Sequence, residues 1–239
     1  MKRALVTGGS GDIGAAICRR LAQAGMAVLV HANSRPERAE AVVAQIRAAG
    51  GEAEAVVFDV TDHAQCQQIL GELAEQQPIQ VVVNNAGIHD DAPLAGMSEA
   101  QWRGVIEVSL HGFFNVTQPL MLPMMRTRWG RVISLSSIAG MMGNRGQANY
   151  AAAKAGLHGA SRSLAIEMAS RGITVNVVAP GIIAGSMTDE VFDEAAIKAQ
   201  VPMKRAGDPQ EVAAVVAFLA SEEAGYVSGQ VIGVNGAMA

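Results

Sequence analysis

Tyr150 and Lys154 stand four residues apart in Tyr150-Ala151-Ala152-Ala153-Lys154, so on a helix both side chains share one face. The three alanines between them let that face approach a strand or a ligand closely. A phenol with a pKa near ~10 is a poor acid or base at neutral pH. Ionising half of it at pH 7 needs a shift of ~3 units, about 4 kcal/mol, and a nearby cation such as Lys154 favours the phenolate. Thirteen residues before the tyrosine, Ser137 follows an apolar run that reads as a strand. That places its hydroxyl at the carboxyl edge, where ligands of open α/β sheets bind. Ser137 can hold a substrate oxygen against Tyr150. The trio is the candidate for proton transfer at a carbonyl or alcohol oxygen.

A second constellation opens the chain. The first apolar run leads into Thr7-Gly8-Gly9-Ser10-Gly11-Asp12-Ile13-Gly14 and then a helical pattern. Glycines there permit a tight turn against a diphosphate, while the following helix offers free N–H groups and a positive dipole end. Gly8, Ser10, Asp12, Ile13 and Gly14 are its candidate contacts, with the Asp12 carboxylate expected to point away from phosphate or to cap the helix. The second strand ends in His31-Ala32-Asn33-Ser34-Arg35, without the acid that would bind a ribose 2′-hydroxyl. Asn33, Ser34 and Arg35 suit a 2′-phosphate instead, favouring NADP(H) over NAD(H).

The elements that must position these residues alternate along the whole chain. Apolar runs at Arg3–Thr7, Ala27–His31, Glu54–Phe58, Val81–Asn84, Arg131–Ser136, Thr174–Ala179 and Val231–Val234 read as strands, several of them continuously apolar as parallel strands covered on both faces are. Helical segments lie between them, such as Gly14–Gly25 and Pro36–Ala49, the second stopped by Gly50-Gly51. Capping boxes start further helices at Ser98, with Gln101, and at Asp208, with Pro209 and Glu211. The expected fold is α/β: a single doubly wound, Rossmann-type, seven-stranded parallel sheet with helices on both faces. One domain is expected over residues 1–239, with a flap at about 181–202 whose Val191–Gln200 part forms short helices.

Composition excludes other classes. Of 239 residues half are hydrophobic and 17% charged, enough apolar material for a large core and too much for a disordered chain. A net charge of −4 gives no basic footprint for nucleic acid. Val108 to Met125 lacks Asp, Glu, Lys and Arg, but His111, Asn115, Gln118, Pro119 and Pro123 make it too polar and broken to span a membrane. The opening residues reach a turn too soon for a secretory signal, and Cys18 and Cys66 read as buried thiols of a reducing cytoplasm. No His, Cys or acidic spacing suggests a metal, and of the histidines His89 is the one expected at a pocket edge.

These motifs resemble the short-chain dehydrogenase/reductase family over essentially the whole chain, and within it the bacterial 3-oxoacyl-acyl-carrier-protein reductases. The matching stretches are Thr7–Gly14, Asp59-Val60, Asn84-Asn85-Ala86-Gly87, Ser137/Tyr150/Lys154, Asn176-Val177-Val178-Ala179-Pro180-Gly181 and Val234-Asn235-Gly236. The resemblance implies that Asp59 and Val60 border the adenine, and that Asn85, Ala86 and Gly87 line the adenosine side of the cofactor. Pro180, Gly181 and Ile183 would border the nicotinamide. Tyr150 would be the general acid, with Lys154 binding the nicotinamide ribose and lowering the tyrosine pKa. Arg128 and Arg171 match arginines that dock the acidic acyl carrier protein beside the active-site entrance, and a homotetramer in the cytoplasm is implied. The implied reaction is NADPH-dependent reduction of a 3-oxoacyl thioester in fatty-acid or related acyl-chain biosynthesis, such as that of aryl polyenes.

Three positions depart from the family pattern. Asp12 replaces the middle glycine of the turn, Gly185 stands where a cofactor-contacting threonine usually follows Pro-Gly, and Ser109 replaces an asparagine that holds a proton-relay water. Ser186 or Thr188 could stand in for that threonine. Two other readings stay open: a dehydrogenase of a free ketone, sugar or secondary alcohol, and a catalytically weak cofactor-binding subunit of a hetero-oligomer.

Overall fold

The computed structural model describes residues 1–185 and 193–239. Its strands are β1 (Arg3–Val6), β2 (Ala27–Ala32), β3 (Ala53–Val57), β4 (Val81–Asn84), β5 (Gly130–Leu135), β6 (Ile173–Pro180) and β7 (Val231–Val234). They form one parallel sheet in the order β3-β2-β1-β4-β5-β6-β7. The order reverses between β1 and β4, and that switch point opens a crevice at the carboxyl ends of the strands.

Strand residues alternate between two apolar cores. Ala4, Val6, Val28, Val30, Val81 and Val83 face one, and Leu5, Leu29 and Val82 face the other. Because both faces are dry, the alternation is invisible as polarity and the strands read as unbroken apolar runs. The first core is roofed by α1 (Asp12–Gln23), α2 (Pro36–Ala48) and, from the far end of the chain, the helix Pro209–Ala220. The second lies under α3 (His63–Gln76) and two longer helices that also serve the crevice.

Those two are α5 (Gly112–Thr127) and α7 (Ala148–Met168). Ahead of α5, helix α4 (Glu99–Ile106) starts at the expected capping box, with Ser98 accepting from the Gln101 N–H and Gln101 accepting from the Ser98 N–H. It runs into α5 through a π-turn at Glu107–His111, a local widening that recurs at functional sites. Between β5 and α7 lies the short helix α6 (Ile138–Met142), capped by Ser137.

Of the expected flap, the described residues form a bridge between Ile183 and Gly207 and the helix α8 (Glu194–Gln200), capped by Asp193. Residues 191–192 of the expected helical part, and Ser186 and Thr188, lie outside the described residues. Helix α9 (Pro209–Ala220) carries the second capping box, Asp208 with Glu211. Strand limits differ from the expected ones by one residue at most. Helix α1 begins earlier, at Asp12, because the Gly11 carbonyl already accepts from the Ala15 N–H at 2.7 Å. Among the described residues no helix is long and apolar enough to cross a membrane, and no group of His, Cys, Asp or Glu could hold a metal ion.

Candidate active site

A groove of about 570 Å³ follows the carboxyl ends of the strands across the switch point. Its floor begins at the glycine turn. A β-carbon on Gly14 would lie 2.2 Å from the Gly8 carbonyl oxygen, so only glycine lets helix α1 start this close to the turn. Asn85, at the end of β4, ties the two lips of the switch point together. Its side-chain amide donates to the Thr7 and Gly8 carbonyls at 2.9 and 3.1 Å, while Thr7 Oγ1 accepts from the N–H groups of Asn85 and Ala86, both at 3.0 Å.

His31 does the same work from the other side. The Gly8 N–H donates to its Nδ1 at 3.0 Å, which leaves Nε2 to carry the proton and donate to the Phe58 carbonyl at 2.8 Å. His31 is 1% exposed and its ring lies tilted against Phe58 with centroids 4.1 Å apart, and burial lowers its pKa to about 4. A neutral imidazole thus joins the glycine turn, the end of β2 and the end of β3. Sequence reasoning assigned His31 nothing; the one signal was a polar residue closing the apolar run Val28-Leu29-Val30.

The groove brings together every residue expected to hold a cofactor. Gly8, Ser10, Asp12, Ile13 and Gly14 line it at the turn, Asn33, Ser34 and Arg35 beyond β2, and Asp59 and Val60 beyond β3. Asn85, Ala86 and Gly87 line its middle, and Tyr150, Lys154, Pro180, Gly181 and Ile183 its other end. His89 stands at its edge as expected. Arg38, one helical turn on from Arg35 in α2, also lines it and was not anticipated. Among the described residues neither arginine forms an ion pair, so two free guanidinium groups flank Asn33 and Ser34. Asp12 does not cap α1. The cap position is Gly11, and the Asp12 carboxylate lies inside the first turn against Gly185.

At the far end of the groove the Ser137 hydroxyl lies near enough to the Tyr150 phenol to favour its ionised form. Ser137 Oγ accepts from the Ala139 N–H at 3.2 Å, which fixes the hydroxyl at the start of α6. Lys154, one turn beyond the tyrosine in α7, has its Nζ 5.5 Å from the centre of the Tyr150 ring. It donates to the Leu135 carbonyl at 2.8 Å and is 4% exposed. The expected effect of the lysine on the phenol is not what sets its acidity. Burial holds Tyr150 above its usual range and outweighs the Ser137 hydroxyl, which lowers it; the Asp91 charge adds to the rise. Burial lowers Lys154 itself to about 8. Tyr150 is therefore held as a protonated phenol, the form a proton donor needs.

Gly87 spaces this cluster. A β-carbon there would lie 3.1 Å from Lys154 Nζ and 3.6 Å from Ser109 Oγ. Ser109 sits in the π-turn, is 4% exposed, and its hydroxyl has no hydrogen-bond partner among the described residues. A buried hydroxyl left over beside a buried ammonium group fits a site that is completed by a bound molecule.

Within one chain the two arginines expected beside the entrance stand away from the groove. Arg128 closes α5 in a left-handed conformation ahead of β5, and Arg171 lies in the turn ahead of β6. Both stand at the amino ends of the strands, the edge opposite the groove of the same chain. Arg128 donates to the Ser170 carbonyl at 3.3 Å, which keeps the pair together.

The short chain dehydrogenase family pattern matches residues 2–196. The chain belongs to the short-chain dehydrogenase family. As a member it is an oxidoreductase that works with a nicotinamide cofactor. It is 47% identical to the 3-oxoacyl-acyl-carrier-protein reductase of Escherichia coli (strain K12), over 99% of this chain and 97% of the relative. It is 46% identical to the reductase of that name from Staphylococcus aureus (strain N315), over 99% and 98%. A solved structure of a proposed gluconate dehydrogenase from Agrobacterium tumefaciens superposes with a TM-score of 0.96 at 33% identity, covering 99% of this chain and 95% of that one.

Proposed function

We propose that this short-chain dehydrogenase reduces 3-oxoacyl thioesters carried on acyl carrier protein to the 3-hydroxyacyl thioesters, using NADPH, in fatty-acid or related acyl-chain biosynthesis in the cytoplasm. The observation that carries the reading is the half-buried, protonated Tyr150 beside Ser137 and Lys154, at one end of a groove suited to a dinucleotide. Near full-length likeness to reductases of that name supports the choice of substrate. Asn33, Ser34, Arg35 and Arg38, with no acid among them at the end of β2, support a 2′-phosphate and so NADP(H) ahead of NAD(H).

A nicotinamide dinucleotide, when bound, supplies the hydride that reaches the C3 carbonyl carbon. Ser137 Oγ and Tyr150 Oη hold the carbonyl oxygen as negative charge develops on it. Tyr150 releases its proton to that oxygen. Lys154, buried and charged below its pKa of about 8, stabilises the phenolate left behind. Ser109 Oγ adjoins Lys154 across Gly87 and is the group placed to hand on the replacement proton.

Arg128 and Arg171, on the far edge of their own sheet, can serve a carrier protein only at the entrance of another copy. Their docking role therefore goes with the proposed homotetramer.

The test is oxidation of NADPH with acetoacetyl-acyl-carrier protein, run beside free ketones and beside gluconate with NADP⁺. The expected result is turnover of the carrier-bound thioester well above the free compounds, lost in Tyr150→Phe. Full turnover by that variant refutes the proton-donor role. Preference for gluconate or a free ketone refutes the substrate, and an inactive native chain leaves only a cofactor-binding subunit.

A further inference from the structure

Asp12 and Gly185 come from opposite ends of the chain and meet across the groove beside the glycine turn. A β-carbon on Gly185 would lie 2.6 Å from Asp12 Oδ2, 3.0 Å from its Cγ and 3.2 Å from its Cβ. Turning the carboxyl group aside relieves the first two contacts but not the third, so the crowding belongs to the backbone positions as well as to the rotamer. Gly185 also has φ +148°, which an L side chain rarely adopts. The neighbouring Gly11 is a contrast: a β-carbon there meets nothing closer than 3.6 Å. At Gly185 all three of the nearest atoms belong to Asp12, so the crowding there is set by that one residue.

The turn around Asp12 is where α1 presents its N–H groups, the natural seat of a diphosphate. A fixed carboxylate on that wall opposes phosphate charge, whereas Arg35 and Arg38 attract it beyond the end of β2. We propose that Asp12 and Gly185 are a matched pair, in which the Asp12 carboxylate takes the volume a side chain at 185 would fill and weakens the dinucleotide's hold at its diphosphate. The inference rests on the cofactor reading above.

Equilibrium binding to the full chain tests it with two probes, NADPH and adenosine 2′-phosphate, the second of which keeps the 2′-phosphate but has no 5′-phosphate and no nicotinamide. Asp12→Asn is expected to bind NADPH about fivefold more tightly and adenosine 2′-phosphate with unchanged affinity. The NADPH gain should shrink in high salt. Gly185→Ala is expected to weaken NADPH roughly tenfold or more, but only about threefold when made together with Asp12→Gly and compared with Asp12→Gly alone. Equal tightening of both probes, or none, shows that the carboxylate does not act at the diphosphate and overturns that half. An equal loss from Gly185→Ala in both backgrounds overturns the pairing. A native chain that binds adenosine 2′-phosphate but shows either pattern keeps the cofactor reading while the pair falls; one that binds neither probe removes both.

Discussion

Acidification should weaken the native fold through His31 more than through any exposed histidine. The buried imidazole must stay neutral to accept from the Gly8 N–H, and its pKa is lowered from 6.5 to about 4 by burial. Above pH 6.5 the group is neutral in both native and unfolded chains and contributes no pH dependence. As pH falls below 6.5 the unfolded chain takes up a proton that the native chain refuses, so stability declines until the native group also protonates near pH 4. At ~1.4 kcal/mol per unit, the displacement amounts to ~3 kcal/mol across that window, a large part of a typical domain's stability. His31→Asn removes the titration while keeping a side-chain oxygen toward Gly8. Urea unfolding of both proteins at steps between pH 7.5 and 4 should show the native chain losing ~3 kcal/mol more than the variant. Parallel curves for the two proteins would falsify the assignment of that proton to His31. At pH 7.5 the variant should be weaker by about 1 kcal/mol, for the lost bond to the Phe58 carbonyl.

Three further outcomes follow from the same geometry. Gly87→Ala sets a methyl group 3.1 Å from Lys154 Nζ; the reductase kcat should drop roughly tenfold or more while the fold survives, and an unchanged kcat shows that the ammonium position is immaterial. Because Lys154 loses its proton near pH 8, the reduction rate should decline above that pH, where the phenolate lacks its cation. Lys154→Met should be slow throughout and show no such limb in its pH–rate profile. Arg128→Glu with Arg171→Glu should raise KM for the carrier-bound thioester about tenfold and leave a small thioester unaffected, with sedimentation confirming an intact oligomer. Equal KM values for the carrier remove the docking role.

Local rules made most of the scaffold legible. The capping boxes at Ser98 and Asp208 complete themselves within four residues, and they stand where expected. The apolar runs became strands with nearly their expected limits because each is covered on both faces. The groove's lining was legible for a different reason: in a parallel sheet the carboxyl ends of successive strands share one edge, so a motif following each strand arrives at one place. Arg128 and Arg171 show the same rule from the other side. Both precede a strand, which puts them on the opposite edge of their own sheet.

What the chain's residues determined alone is the order of strands and helices, the glycine turn and the Ser137, Tyr150, Lys154 trio, since apolar period, glycine and helical spacing act over a few residues. Tertiary packing decided the rest. It made His31 a neutral link between three loops and turned Asp12 against Gly185. It also raised the tyrosine's pKa where a neighbouring cation was expected to lower it. Each of these depends on which distant atoms exclude water from a side chain, and desolvation is a property of the assembled interior that no local spacing encodes.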